Sequence, residues 1–115
     1  MGLYEWISFK EPSNKDLVCY HIEGFLDCAY FHNAVELGDK VSAHTKRTNS
    51  RDTVKMEVKV HPKSQWNDRI QQLKEKVPGS QEHRTSPFIY EGCSTTLKFI
   101  GGYTDFFKLV QERHK

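Results

Sequence analysis

Apolar and polar positions along this chain alternate between two periods, and each change of period marks a new element. The run Leu17-Val18-Cys19-Tyr20-His21-Ile22 is nearly continuous in apolar and aromatic side chains. Such a run reads as a central strand covered on both faces, and Gly24 closes it. Phe31, Ala34, Val35, Leu37 and Val41 then recur at helical steps and form one apolar stripe, weakened in its middle by Gly38. From Thr45 to Asp52 the chain is polar and reads as a loop. Val54-Lys55-Met56-Glu57-Val58-Lys59-Val60 has a strict period of two, the pattern of a strand at a sheet edge with one solvated face, and Pro62 stops it. Trp66, Ile70, Leu73 and Val77 again have helical spacing, with Ser64 as the expected cap and Pro78-Gly79 as the end. The segments 87–91 and 95–100, joined by Gly92-Cys93-Ser94, read as a hairpin. A last helix opens after Gly101-Gly102, capped by Thr104, with Phe106, Leu109 and Val110 as its buried side.

The resulting order is strand, helix, strand, helix, strand, strand, helix. A right-handed βαβ unit gives parallel neighbours, and the closing hairpin and helix complete an α/β fold, a four-stranded mixed sheet flanked by helices. One domain is expected over 17–115. Residues 1–16 form an N-terminal arm or an extra strand that ends in the turn-rich Glu11-Pro12-Ser13-Asn14-Lys15-Asp16.

Charge changes this picture little. Seventeen Lys and Arg against fifteen Asp and Glu leave a formal +2, too small a surplus to argue for nucleic acid. The loose basic patch of Lys40, Lys46, Arg47, Arg51 and Lys55 reads as solvated surface. No apolar run approaches the ~20 residues of a membrane helix, and the start resembles neither a signal peptide nor an acylation site. The six histidines lack the spacing of a zinc site. Three cysteines without a CxxC pair argue against a secreted disulfide scaffold and for a reducing compartment, so a cytoplasmic location is expected. Cys19 is expected to pack as a small hydrophobe in the core, and Cys93 to lie exposed in the hairpin turn without a role.

Cys28 is different. It stands directly after the apolar strand and directly before the helical stripe, in Gly24-Phe25-Leu26-Asp27-Cys28-Ala29-Tyr30-Phe31. The first turn of a helix offers unpaired N–H groups and the positive end of the macrodipole, a setting that suits a thiolate nucleophile. His32, one turn on, is near enough in sequence to be considered as its partner.

Three segments together resemble the glutaredoxin branch of the thioredoxin-like fold, over about Leu17 to Lys115. Cys28-Ala29-Tyr30-Phe31 is similar to that family's Cys-Pro-Tyr-Cys in a one-cysteine form. Arg84-Thr85-Ser86-Pro87 resembles its Thr-Val-Pro segment with a cis proline. Ile100-Gly101-Gly102-Tyr103-Thr104-Asp105 resembles the diglycine that opens its last helix. The resemblance implies Cys28 as the reactive residue and a glutathione groove made by Tyr30, Thr85, Ser86, Pro87, Gly101, Gly102, Thr104 and Asp105. Ser86 would then pair with the cysteine part of glutathione, and Thr104 and Asp105 would hold the γ-glutamyl end. Tyr103 and Phe106 flank this groove as wall or as packing. Ala29 replaces the family's proline and Phe31 its second cysteine, so no disulfide can close within the motif. One-cysteine members that share an iron–sulfur cluster usually carry Gly-Phe-Ser after the cysteine; the bulkier Ala29-Tyr30-Phe31 argues against a cluster here.

A narrower resemblance adds His61-Pro62, Trp66, Pro87-Phe88-Ile89-Tyr90-Glu91 and Phe106 to the same segments. These are similar to the amino-terminal glutaredoxin-like region of a divergent malate dehydrogenase-like family, in which that region precedes a nucleotide-binding domain. The chain has no G-x-G-x-x-G loop, so it is not read as a dehydrogenase but as a possible domain of a longer protein. Two functions are therefore expected. The first is a glutathione-dependent thiol–disulfide oxidoreductase of monothiol glutaredoxin type, with glutathione as co-substrate and glutathione or a glutathionylated protein as partner. The second is a non-catalytic thioredoxin-fold module that binds a peptide or a partner domain.

Overall fold

The structure is a computed structural model that describes residues 16–48 and 52–114. The expected arm or extra strand at 1–16 lies, apart from Asp16, outside the described residues, as does Arg51 of the basic patch. The elements are β1 (Asp16–Phe25), α1 (Ala29–Arg47), β2 (Asp52–His61), α2 (Trp66–Lys76), β3 (Phe88–Glu91), β4 (Lys98–Gly101) and α3 (Tyr103–Arg113). The four strands form one mixed sheet in the order β2-β1-β3-β4. β2 runs parallel to β1, with Val54 beside Val18 and Val60 beside Gly24. β3 is antiparallel to β1, with Ile89 beside Ile22, and β4 is antiparallel to β3.

Both faces of β1 are covered, as its continuous apolar run requires. Tyr20 and Ile22 face one core with Phe31, Ala34 and Val41 of α1 and Phe106 and Val110 of α3. A second core on the opposite face joins Trp66, Ile70, Leu73 and Val77 to Phe88 and Tyr90. The alternating side chains of a strand thus separate α1 and α3 from α2 by a full sheet. The expectation of a four-stranded mixed sheet flanked by helices holds.

Several boundaries differ, each for a physical reason. β1 continues through Gly24 to Phe25. A Cβ at Gly24 would overlap the Phe31 ring and Ser86 Oγ, so this glycine permits close packing inside the strand and does not end it. α1 extends to Arg47, where a loop from Thr45 was expected. Thr45 is buried and its hydroxyl donates to the Ser42 carbonyl at 3.0 Å. His44, Lys46 and Arg47 place cationic side chains at the negative end of the helix.

Ser64 does not cap α2: it lies in a 3-10 turn, Lys63–Gln65, and Gln65 occupies the cap. Thr104 does not cap α3; Gly102 stands there, and its carbonyl accepts the Phe106 N–H at 3.1 Å. β4 begins at Lys98 and not at Thr95, because 92–97 form the turn that returns past β1. β2 lies at the sheet edge as expected, but α1 covers only part of its apolar face. Val54 is buried, whereas Val58 and Val60 are 40% and 52% exposed.

The cysteine reading changes most. Cys19 and Cys93 form a disulfide that ties β1 to the β3–β4 turn, with Cα atoms 5.1 Å apart. Cys19 is therefore not a free core thiol and Cys93 is not a bystander. Two of the three cysteines pair, so an unpaired odd count no longer argues for a reducing compartment. The sequence hid this pairing because the partners are 74 residues apart and only the hairpin brings them together. A cross-link over such a loop stabilises chiefly by restricting the unfolded chain, by about 4 kcal/mol in the loop-entropy description. Cys19→Ser is expected to lower the unfolding free energy by about 2–4 kcal/mol. Urea unfolding under non-reducing conditions reads this loss, and an unchanged midpoint would show the bridge to be without effect.

Candidate active site

Cys28 occupies the cap position of α1 in an extended conformation, with φ −91° and ψ 116°. Its N–H donates to the Phe25 carbonyl at 3.1 Å, closing the turn that leaves β1. Its carbonyl accepts the His32 N–H at 3.2 Å, starting the helix. A strand-to-helix corner thus holds the thiol, and the first helical N–H groups stand beside it. Cys28 is half-buried and is the one free cysteine among the described residues.

The second segment is the connection from α2 into β3. The Ser86–Pro87 peptide is cis, and this directs the chain between α2 and β3 past Cys28. The Cys28 thiol donates to the Ser86 carbonyl at 3.3 Å. Ser86 Oγ accepts the Phe25 N–H at 3.2 Å, so the same residue is anchored to the strand that carries the cysteine. Pro87 is fully buried.

The third segment is the diglycine corner. Gly101 has φ +135°, which L side chains rarely adopt, and a Cβ there would collide with the Asp105 side chain. Gly102 then caps α3, with Asp105 in the first turn. The second and third segments, with Tyr30 from the first turn of α1, line one groove of about 370 Å³, among others through Thr85, Ser86, Pro87, Thr104 and Asp105; Cys28 is not part of its lining and meets it through its contact with Ser86. Its mouth is apolar: Tyr30 is 62% exposed, and its ring faces Tyr103, which in turn faces Phe107, at centroid distances of 6.3 and 6.2 Å.

The predicted residues sort clearly. Tyr30, Thr85, Ser86, Pro87, Gly102, Thr104 and Asp105 line the groove; Gly101 is buried behind it and shapes its corner. Tyr103 is groove wall, whereas Phe106 is core, fully buried and edge-on to Tyr20 at 5.2 Å. His32 does not serve Cys28. Its ring nitrogen bonds the Leu26 carbonyl and its ring lies against Phe31. Phe31, where the resembled family has a second cysteine, is 1% exposed and belongs to the core.

His83 is a groove residue that the sequence reading missed. Its Nε2 donates to the Pro87 carbonyl at 3.0 Å, with Thr85 Oγ1 3.5 Å from the same nitrogen. Its ring packs edge-on to Phe88 and Phe99. Set in the polar stretch Gln81-Glu82-His83-Arg84, it carries no pattern that distinguishes it from solvated surface.

A second polar cluster, also unforeseen, lies one strand turn away. Glu23 is 1% exposed, yet its carboxylate is fully engaged. Arg69 donates through Nε at 2.7 Å and Nη2 at 2.9 Å, the Tyr90 hydroxyl donates at 2.7 Å, and His61 Nε2 lies 2.8 Å from the same carboxylate. Burial pushes the Glu23 pKa up, but the hydrogen bonds from Arg69, Tyr90 and His61 together outweigh it and hold it at about 2. Burial, reinforced by Glu23, pushes the Tyr90 phenol well above its ordinary range. The cluster links β1, β2, α2 and β3 just below the corner where Cys28 begins α1.

No family model, no curated protein and no solved structure matches the chain. No helix among the described residues is long and apolar enough to cross a membrane.

Proposed function

We propose that this protein is a glutathione-dependent thiol–disulfide oxidoreductase of the one-cysteine glutaredoxin type, built on a thioredoxin-like fold. The observation that carries the reading is the meeting of three distant segments at one groove, with Cys28 at its edge against Ser86. Cys28 lies 3.3 Å from the carbonyl that precedes a cis proline, and the diglycine start of α3 opens beside them. The sheet order, with one parallel and two antiparallel pairings, supports the same fold.

The chemistry follows from the placement. The Cys28 thiolate attacks the glutathione sulfur of a mixed disulfide, the Cys28–glutathione bond forms, and the substrate leaves as a thiolate that takes up a proton. A second glutathione thiolate then attacks the glutathione sulfur on Cys28. Glutathione disulfide leaves and the Cys28 thiolate returns. Main-chain groups of Ser86 pair with the peptide-like part of glutathione. The N–H groups at the α3 start, with Thr104 and Asp105, receive its γ-glutamyl end. No second cysteine is required, which fits Phe31 in the core. A cytoplasmic location belongs to this reading, because the cycle consumes reduced glutathione.

Glutathione titration followed on backbone amides tests the groove. Shifts are expected at Cys28, Ser86, Thr104 and Asp105, and their absence at saturating glutathione would remove both groove and activity. The aromatic row Tyr30–Tyr103–Phe107, exposed at Tyr30 and Phe107 and half-buried at Tyr103, favours a second reading, a module that docks a peptide or a partner domain of a longer protein without chemistry. Under that reading glutathione leaves these amides unmoved while a partner shifts Tyr103 and Phe107.

A further inference from the structure

The Cys19–Cys93 disulfide lies outside the groove, and the cycle proposed for Cys28 makes no use of it. Six residue steps of extended strand, about 20 Å, take the chain from Cys19 to Phe25, and Cys28 follows beyond the next turn. Neither paired sulfur is placed to resolve a disulfide on Cys28.

Three features suit this pair to repeated opening and closing. The surrounding backbone is held without the sulfur bond: the Gly92 N–H donates to the Cys19 carbonyl at 3.0 Å, and His21 Nε2 bonds the Gly92 carbonyl at 2.7 Å. Tyr20 and Glu91 are partners in the sheet ladder immediately beside it. The Cα separation of 5.1 Å lies in the range that a disulfide spans. Thiols released by reduction therefore stay where they can rejoin. Finally, the two sulfurs differ in access, since Cys93 is exposed and Cys19 is half-buried. An incoming thiol or disulfide meets Cys93 first.

We propose that Cys19 and Cys93 form a second redox site, a dithiol–disulfide couple exchanged with glutathione-type disulfides independently of Cys28. In the oxidising direction the Cys93 thiolate attacks one sulfur of glutathione disulfide. A Cys93–glutathione bond forms, the glutathione S–S bond breaks, and one glutathione thiolate leaves. The Cys19 thiolate then attacks the Cys93 sulfur, the protein disulfide forms, and the second glutathione leaves. The two protein thiols lose two electrons and two protons, and one glutathione disulfide becomes two glutathiones. Reduction runs the same steps backwards, beginning with attack on exposed Cys93. The couple thereby sets whether the 92–97 turn is covalently tied to β1.

The test uses the full chain as wild type and as Cys28→Ser. Both are equilibrated in reduced and oxidised glutathione mixtures from fully reducing to fully oxidising, quenched by rapid alkylation, and mapped by peptide mass spectrometry. Cys19 and Cys93 are expected to change state together with the same midpoint in both proteins. Any trapped adduct is expected on Cys93. In Cys19→Ser/Cys28→Ser the Cys93 adduct should accumulate at least tenfold over its level in Cys28→Ser, because the thiol that clears it is gone. A bridge that persists in the native protein under a large excess of reduced glutathione would mark a static cross-link and overturn the proposal. So would two cysteines that titrate separately and never pair, or a midpoint that moves when Cys28 is replaced.

Discussion

In a Cys93→Ser background, which removes the second exchange site, Cys28→Ser is expected to reduce deglutathionylation of a small mixed disulfide by about a thousandfold or more, to the uncatalysed background, since removing a covalent nucleophile removes the reaction path itself. The fold should be unaffected. The residue is half-buried at a helix cap, serine is well accepted there, and the thiol makes only one hydrogen bond, to the Ser86 carbonyl. A coupled glutathione-oxidation assay reads the activity, and circular dichroism with urea unfolding reads the fold. Cys93→Ser provides the contrast, with activity retained because the 92–97 turn lies at the other end of β1. Substantial turnover in Cys28→Ser/Cys93→Ser would remove the enzymatic reading, whatever the groove binds.

The largest loss of stability is expected at Glu23. Glu23→Ala removes the acceptor shared by Arg69, Tyr90 and His61 at once, leaving the guanidinium without its carboxylate, with only Gln72 Oε1 still accepting from it, and the buried phenol without its acceptor. Breaking a buried ionic cluster on one side costs about 3–5 kcal/mol, a large part of the total for a domain of this size. The same group predicts an acid dependence. Its folded pKa of about 2 lies below the ordinary 4.5, so the unfolded chain binds the proton more tightly between these values. The stabilisation is complete above about pH 4.5 and is lost as pH falls towards 2; the shift corresponds to about 3 kcal/mol. Unfolding free energies measured from pH 6 to pH 2 should fall more steeply in wild type than in Glu23→Gln. Parallel curves would show that this carboxyl does not govern acid stability.

Glu23 also shows why part of the molecule was hidden. In the sequence it follows Ile22 and precedes Gly24, where a strand was expected to stop, and nothing in that window distinguishes it from a solvated carboxylate. Its burial depends on Arg69 from α2, Tyr90 from β3 and His61 from β2, none of which is near it in sequence. His83 is a similar case, because its value to the groove lies in the Pro87 carbonyl and two aromatic rings that the hairpin brings beside it.

Local periodicity was enough for the order of the seven elements and for most of their buried positions, although several ends moved and Leu109 of α3, expected on the buried side, is half-buried. Alternation and helical spacing are properties of neighbouring residues, and the phase of Val54 to Val60 or of Trp66 to Val77 is visible without any fold. The cysteine at the head of α1 and the diglycine before α3 were legible for the same reason, since a strand followed by a helix defines its own corner. Contacts that close over long stretches of chain were not legible: the Cys19–Cys93 bridge, the Glu23 cluster, the packing of His83 on Phe99, and the exposure of Val58 and Val60 beyond the reach of α1. Those depend on which strands become neighbours and in what register. That choice is made by burying apolar area and satisfying polar groups across the whole sheet, and no short window of residues contains it.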